Sequence, residues 1–195
     1  MNISELCDIR SGTSFSQKVK HYENADYWVM ESKCANSNGS IDTKSLVNAS
    51  IQQFKMPTRA LSNQEILIRG KGGSHQAILF EEVSDKLPIF PTSYFLVLTL
   101  KNTKIASAKF LAWLINQPKY QEKLKSLASG VTVKHLTKTK FLKFELDIPP
   151  LNKQHQLLEL DSLMKQENNL LSELDGLRKE YYQVSVSTYL EPSNG

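Results

Sequence analysis

The C-terminal third of the chain carries a heptad pattern that constrains the fold more than any other feature of the sequence. Across residues 154–189, apolar residues recur in alternating steps of three and four. This spacing keeps one stripe of a helix facing a partner helix and is typical of a coiled coil. A helix of about 30 residues would be about 45 Å long. The a and d positions, called the seam below, are Leu160, Leu163, Glu167, Leu170, Leu174, Leu177, Tyr181 and Val184.

Glu167 is the polar residue within the seam. One polar residue at an a position commonly fixes the register and the number of helices, at some cost in stability. An ordinary amphipathic helix packed on its own domain is the alternative, because further apolar residues widen the stripe. The length of the pattern exceeds that of a mean globular helix and favours a spacer or dimerisation helix. The widening residues are Leu157, Leu158, Met164 and Leu171.

The chain divides at Pro149-Pro150, where the heptads begin. We expect a globular domain over residues 1–150 and a long helical region over residues 151–195. An apolar fraction of 40% and a charged fraction of 23% are those of a soluble globular protein. No apolar run reaches the ~18 residues of a membrane span, and the N-terminus lacks the features of a signal peptide. Cys7 and Cys34 show no CxxC spacing, so a reduced, cytoplasmic protein is expected.

The net charge of +4 conceals an uneven distribution along the chain. Residues 1–100 hold ten basic and ten acidic side chains, whereas residues 101–143 hold ten lysines and one acidic residue. Residues 144–195 hold four basic and nine acidic side chains. A basic block beside a neutral domain favours a polyanion partner, since phosphates attract lysines irrespective of sequence. The acidic helix suits a protein partner better.

The pattern of apolar residues before Pro149 predicts a mixed α/β domain. Residues 94–100 form the strongest strand candidate and are expected at the centre of a sheet, because apolar residues run through them without interruption. Helical spacing covers residues 107–116 and 119–128, and residues 3–9 read as a strand or a helix start. Residues 136–140 read as a polar turn. The other predicted strands are residues 27–30, 51–54, 65–69, 77–80 and 141–148.

A glycine-rich turn, Gly70-Lys71-Gly72-Gly73-Ser74-His75, lies between two predicted strands. It is not a nucleotide-binding P-loop, because the lysine precedes the glycine pair and a strand follows instead of a helix. The turn can present Arg69, Lys71, Ser74 and His75 to a nucleic acid. A hairpin turn without a binding role is the alternative.

A second loop, residues 129–140, alternates hydroxyls with lysines and suits contact with phosphates. The same hydroxyls can form local turns and caps, and we expect both roles in this segment. A third polar segment, residues 14–24, carries lysines and reads as a surface loop. The predicted DNA-binding residues are Lys18, Lys20, Arg69, Lys71, Ser74, His75, Lys134, His135 and Lys138.

Motifs for catalysis or metal binding are missing from the sequence. The four histidines lie far apart without ligand spacing, and no cysteine or carboxylate cluster accompanies them. No GxSxG elbow and no paired carboxylates of the nuclease type occur. We therefore expect a binding subunit with no catalytic residues, no metal and no cofactor of its own.

The order of several segments resembles the specificity (S) subunit of Type I restriction-modification systems. These segments are residues 6–12, 65–70 and 129–136, and the junction Pro149-Pro150-Leu151-Asn152-Lys153-Gln154 that leads into the heptads. The resemblance covers about residues 3–184, and the junction is its most specific part. One departure is Asn63-Gln64-Glu65, which replaces the glycine-aspartate that usually starts the family's strand.

The resemblance implies a fold and a role. In this family each target recognition domain is an α/β globule that reads one half of a split DNA sequence. Two antiparallel helices hold two such domains apart and set the spacing between half-sites. Methyltransferase (M) subunits dock on these helices, and the restriction (R) subunit joins through them. The S subunit has no catalytic site; S-adenosylmethionine, ATP and magnesium are bound by its partners.

The length of the chain departs from the family pattern, because one recognition domain and one helix are present instead of two of each. We expect two copies to pair through antiparallel helices, so that a homodimer reads a palindromic interrupted site. Pairing with a different half-subunit, or truncation of a longer chain, is the other interpretation. Two functions of other classes compete with DNA specificity: a coiled-coil adaptor that binds only protein, and a stand-alone nuclease or methyltransferase.

Overall fold

The computed structural model describes residues 1–36, 39–72, 74–81, 87–130 and 135–190. The chain separates into two compact units, Met1–Leu151 and Asn152–Gly195. The strands are β1 (Cys7–Ser11), β2 (Tyr27–Met30), β3 (Val47–Ala49), β4 (Ile66–Arg69), β5 (Ala77–Leu79), β6 (Ile89–Pro91) and β7 (Phe95–Leu100). The helices are α1 (Ile3–Leu6), α2 (Ala108–Ile115), α3 (Pro118–Leu127), α4 (Lys138–Phe141) and α5 (Leu151–Leu190). The mixed α/β fold followed by one long helix is as predicted.

A four-stranded antiparallel sheet forms the centre of the first unit, in the order β1-β7-β4-β5. Strand β7 has neighbours on both sides, which confirms its predicted central position. Leu67 of β4 lies opposite Val97 of β7, and both side chains are fully buried. The uninterrupted apolar runs of these two strands are explained by burial on both faces of the sheet.

A second sheet has three strands in the order β3-β2-β6. Strand β2 pairs antiparallel with β3 and parallel with β6. Met30 of β2 packs in one apolar cluster with Phe95 and Val97 of β7, so a common core joins the two sheets. This core makes a single rigid support for the loops at the strand ends.

Local chemistry fixes the ends of α2 and α3. The Ser107 side chain caps α2 by accepting a hydrogen bond from the Phe110 N–H at 3.1 Å. Pro118 occupies the first turn of α3, where its missing N–H costs nothing. Just after α2, the Asn116 side-chain amide exchanges two 2.8 Å hydrogen bonds with the backbone of Ala77. Asn116 thereby fastens the end of α2 to the edge strand β5.

Two predicted strands are wrong. Residues 51–54 form a turn, because the Asp26 carboxylate accepts hydrogen bonds from Ser50 Oγ and the Ile51 N–H, each at 2.8 Å. Residues 141–148 are not a strand either. The predicted polar turn before them is replaced by α4, whose first turn is capped by the Thr137 hydroxyl. Phe144 and Leu146 are buried, and the backbone at Glu145 between them forms an isolated antiparallel bridge with Asn2 instead of a strand.

The strand β4 begins after a turn in which Gln64 has a positive φ of 65°. Glycine adopts this left-handed conformation at no steric cost, whereas other residues do so rarely. The departure from the family's glycine-aspartate is therefore accommodated by a glutamine in a conformation that favours glycine. Its N–H donates to the Phe80 carbonyl at 2.9 Å, which holds the turn.

The second unit is the helix α5, a single helix of 40 residues. At ~1.5 Å per residue it is about 60 Å long. Two ion pairs with i,i+4 spacing lie along it, Lys165–Asp161 and Lys179–Asp175, each at 2.7 Å. Among the described residues, no helix combines the length and apolar character that crossing a membrane requires.

Candidate nucleic-acid interface

The glycine-rich turn after β4 is held against the start of β7. The Gly70 N–H donates to the Tyr94 carbonyl at 2.7 Å. A Cβ atom at Gly70 would lie 3.2 Å from that carbonyl oxygen, so a larger residue would push the two segments apart. Gly72 has a φ of 109°, which turns the chain directly after Lys71. The glycines thus serve to hold Lys71 at a fixed place.

The structure brings together two loops that the sequence predicted separately. Lys71 forms an isolated antiparallel bridge with His135, and the Leu136 N–H donates to the Gly70 carbonyl at 2.7 Å. The His135 backbone N–H also donates to the Ser129 carbonyl at 2.8 Å, and the Ser129 N–H donates to the His135 carbonyl at 3.2 Å. The glycine-rich turn and the loop after α3 therefore form one continuous surface.

A cleft of about 270 Å³ lies at the junction of these loops. Lys71 and Lys138 line it with ammonium groups, and His135 lines it with an imidazole. Hydroxyl groups supply most of its other polar atoms. Amines and hydroxyls at this density are the groups that contact phosphate and sugar in protein–DNA complexes. The remaining lining residues are Ser11, Ser14, Gly70, Ser93, Leu96, Leu136 and Thr137.

Tyr94 was missed by sequence reasoning, which placed it within the buried central strand. The strand begins one residue later, and the Tyr94 side chain is 45% exposed. The Lys71 ammonium lies over its ring, 4.8 Å from the ring centroid. Such a cation–π contact holds the lysine near the ring without neutralising its charge. A large aromatic residue at a predicted strand end is the signal that could have identified it.

Two of the predicted DNA-binding residues have structural roles. His75 is fully buried, and its Nδ1 lies 2.7 Å from the Arg69 carbonyl oxygen. The Arg69 guanidinium reaches back to the Ala35 carbonyl. For His75, the predicted surface position is wrong, because the chain turns inward after the exposed Ser74. Both side chains stabilise the turn that presents Lys71.

Lys18 and Lys20 lie on a loop that is anchored between them by the buried Val19. The Gln53 side chain holds the loop from outside: Oε1 accepts from the Lys20 N–H at 3.0 Å and Nε2 donates to the Lys18 carbonyl at 3.2 Å. Both lysine side chains are consequently exposed on an ordered backbone.

These two lysines border a groove of about 680 Å³ that is rich in further basic residues. Glu31 is the acidic residue among those lining it, and its carboxylate is paired with Lys33 at 3.2 Å. The sequence analysis did not single out Lys33 or Lys44, which lie outside the lysine-rich block. The lysine and histidine residues that line the groove are Lys18, Lys20, His21, Lys33 and Lys44.

The groove and the cleft belong to one surface. A cavity of about 340 Å³ lies between them; it shares Lys18 with the groove, and Ser93 with the cleft. Tyr94 also lines this middle cavity. We refer to the cleft, the middle cavity and the groove together as the basic surface. Lys134, which was predicted to contact DNA, lies outside the described residues.

Part of the lysine-rich block is engaged elsewhere. The Lys119 ammonium donates to Asp147 at 2.8 Å, and the Tyr120 hydroxyl donates to the same carboxylate at 3.1 Å. The hydrogen bond from Lys119 lowers the pKa of Asp147, and the hydrogen bond to Asp147 raises the pKa of Lys119. This ion pair offsets one lysine charge, so the block is not equivalent to a uniform DNA-binding face.

The described residues contain no group of three His, Cys, Asp or Glu side chains arranged to hold a metal ion. Both cysteines are buried. Burial raises the pKa of the Cys7 thiol to about 12, which keeps it protonated and unreactive at neutral pH.

The helix α5 carries the second candidate surface. Along the seam, the apolar side chains are between 44% exposed at Leu174 and 76% exposed at Tyr181. Glu167 is exposed as well. Apolar stripes of this length are rarely left in contact with water, and they mark sites of association. The structure confirms the long helix, whereas its pairing stays a prediction.

Comparison with known proteins identifies a matching family and similar solved structures. A family model described as "Type I restriction modification DNA specificity domain" matches residues 1–174. The S subunit of a Type I restriction-modification system from M. genitalium is 20% identical, with a TM-score of 0.56, and the match covers 98% of this chain and 46% of that chain. The HsdS subunit from Thermoanaerobacter tengcongensis is 16% identical, with a TM-score of 0.58, over 85% of this chain and 37% of that chain.

A further solved structure concerns complex assembly and conformational transition of the type I R-M system. It is 17% identical with a TM-score of 0.66, and the match covers 94% of this chain and 42% of that chain. The chain thus spans less than half the length of each of these solved chains. No curated protein matches it. At these identities the solved structures establish the fold.

Proposed function

The chain belongs to the family of Type I restriction modification DNA specificity domains, and from this premise we propose that it binds double-stranded DNA and supplies the sequence specificity of a Type I restriction-modification complex. The observation that carries the proposal is the convergence of the glycine-rich turn and the loop after α3 in one cleft. The bridge between Lys71 and His135 joins two segments that are far apart in sequence but share a composition suited to phosphates.

Different groups of the basic surface would supply the affinity for DNA and the sequence specificity. Lys18, Lys20, Lys71 and Lys138 contact phosphates and position the domain on the duplex, as lysines do irrespective of sequence. The smaller polar groups of the two loops, on the exposed Ser74 and on His135 at the junction, are suited to donate and accept hydrogen bonds at base edges in the major groove. Tyr94 adds an exposed aromatic ring beside them.

The helix α5 would set the distance between two recognition domains. Its exposed seam supports pairing with a second helix, and an antiparallel second copy of this chain satisfies both seams at once. Such a homodimer reads a palindromic interrupted site, with the helix length fixing the spacing between half-sites. Acidic side chains that flank the seam, Glu159, Asp161, Glu173 and Glu180, then offer a docking face to a methyltransferase subunit.

Catalysis would belong to the partners. In this proposal the methyltransferase subunit binds S-adenosylmethionine, and the restriction subunit binds ATP and magnesium. The chain itself contributes recognition and assembly. This division agrees with the polar chemistry of the first unit, where basic and hydroxyl groups line open clefts.

A salt titration of DNA binding tests the proposal. We expect the protein to bind a labelled duplex with an affinity that falls steeply with salt, and Lys71→Ala to lower the slope of log K against log salt by about one. Lys125→Ala, an exposed lysine of α3 outside the basic surface, is the control and should change the slope less. Fluorescence anisotropy at four or five salt concentrations measures both.

A coiled-coil adaptor that binds only protein is the competing function, and the exposed seam favours it equally. An adaptor needs no polyanion, so its DNA binding would be weak and would not depend on Lys71. A wild-type protein without salt-dependent binding to any duplex therefore supports the adaptor and rejects DNA specificity.

A further inference from the structure

A second basic cleft is lined by the end of β1, the residues that follow it and residues 55–59. Its volume is about 390 Å³, and three of its lining side chains, Arg10, Lys55 and Arg59, are cationic. Ser11, Thr13 and Thr58 add hydroxyl groups, and none of the described residues lining the cleft carries a carboxylate. None of the three cations belongs to the lysine-rich block or to the loops of the basic surface.

A buried carboxylate behind the cleft holds its two arginines in place. Glu65 is 2% exposed, and its Oε2 accepts from Arg10 Nη2 at 2.9 Å. Its Oε1 lies 3.7 Å from Arg59 Nη2. One negative charge therefore positions two guanidinium groups, which leaves the cleft with a net positive charge from Arg10, Arg59 and Lys55. Side chains fixed in advance lose little conformational entropy when a ligand binds.

The hydrogen-bonding capacity of Arg10 is not used up within the protein. Nη2 donates to Glu65 and, at 3.1 Å, to the Ala60 carbonyl. Nε is buried and has no acceptor among the described residues. The Arg10 side chain keeps 16% of its surface exposed, so its guanidinium can still donate hydrogen bonds to a ligand in the cationic cleft. A phosphate group, with several charged oxygens, matches this set of donors.

The position of the cleft indicates which phosphate it receives. Ser11 lines both this cleft and the cleft at the junction of the two loops, and Thr13 lines both this cleft and the middle cavity of the basic surface. We propose that the Arg10–Lys55–Arg59 cleft binds a backbone phosphodiester of the same DNA duplex, next to the region held by the basic surface. The inference rests on the proposed function, because it extends the path of the bound strand beyond Ser11.

The test is a double variant in the full chain, Lys55→Ala with Arg59→Ala. Both residues are exposed, so the variant should fold. Loss of one phosphate contact lowers the slope of log K against log salt by about 0.9, and it weakens specific and random duplexes alike. The matched control removes two exposed lysines of α2 and α3, Lys109→Ala with Lys125→Ala, and should retain more of the slope.

Three outcomes separate the inference from the function on which it rests. A wild-type protein that binds no DNA rejects the proposed function, and the inference with it. A wild-type protein that binds DNA, with a double variant whose slope matches that of wild type, overturns the inference alone. Titration of inorganic phosphate, monitored by NMR of the arginine side chains, tests for binding of a free anion. If free phosphate binds at Arg59 while the double variant keeps the wild-type slope of log K against log salt for DNA, the cleft is a small-anion site and the inference is overturned.

Discussion

At the scale of single residues, Glu65 organises more of the first unit than its place in the sequence suggests. Its carboxylate accepts hydrogen bonds from Arg10, from the Thr99 hydroxyl at 2.8 Å and from the Ser62 N–H at 3.0 Å. These contacts join β1, β7 and the turn before β4. A charge removed from water needs partners of this number and quality, because desolvation otherwise raises its free energy by several kcal/mol.

We expect Arg10→Ala to lower the free energy of unfolding by about 3 kcal/mol, because it leaves the buried Glu65 charge without its closest cationic partner. Arg59→Ala is the control within the same cluster. Its side chain is 58% exposed and lies farther from the carboxylate, so its removal should cost less than about 1 kcal/mol. Urea unfolding monitored by circular dichroism measures both. Equal destabilisation by the two variants would show that Arg10 and Glu65 do not form the decisive pair.

Residue types alone overestimated the number of polar side chains that the candidate interface exposes. Histidine and arginine after a strand suit nucleic-acid recognition, yet His75 is in the core and the Arg69 guanidinium bonds to the backbone carbonyl of Ala35. Burial depends on the path of the turn, which the sequence of glycines permits but does not determine. Tyr94 and Lys33 were missed for the converse reason, since exposure at a strand end and proximity across the fold are tertiary properties.

At the scale of elements, patterns with a strong periodicity predicted the structure well. The helix over residues 107–116, the helix after Pro118 and the central strand over residues 94–100 are all present within one or two residues of their expected ends. Each carries its own local signal: a serine cap, a proline at the first turn and a continuous apolar run. The long heptad helix is present too, although longer than expected at 40 residues.

The secondary structure of segments that depend on contacts with residues distant in sequence was not predictable from the sequence. Residues 51–54 have strand-like composition, but the Gln53 and Phe54 N–H groups donate to the Ser50 carbonyl and close a turn, whose start is held by the Asp26 carboxylate. Phe144 alternates with Leu146 as in a strand, yet its N–H donates to the Phe141 carbonyl at 2.9 Å and continues the turn after α4. In both cases a contact that satisfies the backbone outweighs a weak β-propensity.

The seam of α5 yields a prediction about assembly. We expect the full chain to form dimers at micromolar concentration, and the double variant Leu170→Glu with Leu177→Glu to be monomeric, because two charges on each helix would be buried at the interface. Ser172→Glu is the matched control, since it adds a carboxylate at an exposed position opposite the seam. Sedimentation equilibrium distinguishes the species. A wild-type monomer, or a double variant that remains dimeric, would show that the seam does not hold two copies together.

At the scale of the whole molecule, the proposed function assigns recognition and spacing to different parts of the chain. The first unit carries open basic clefts on a rigid two-sheet core, and the second is one long helix with an unpartnered apolar stripe. The uneven charge distribution indicated this division, because basic residues are in excess before the long helix and acidic residues are in excess within it. It did not locate the basic surface, because lysines outside the 101–143 block line much of it while Lys119 within the block is paired with Asp147.

Selection of bound duplexes from a random pool tests the central claim most directly, because it measures sequence specificity rather than affinity for polyanions. The protein is incubated with the pool at moderate salt, and the bound fraction is sequenced over successive rounds. The account predicts one short half-site that recurs twice in inverted orientation at a fixed separation. A bound pool that stays random in sequence, despite salt-dependent binding, would contradict it.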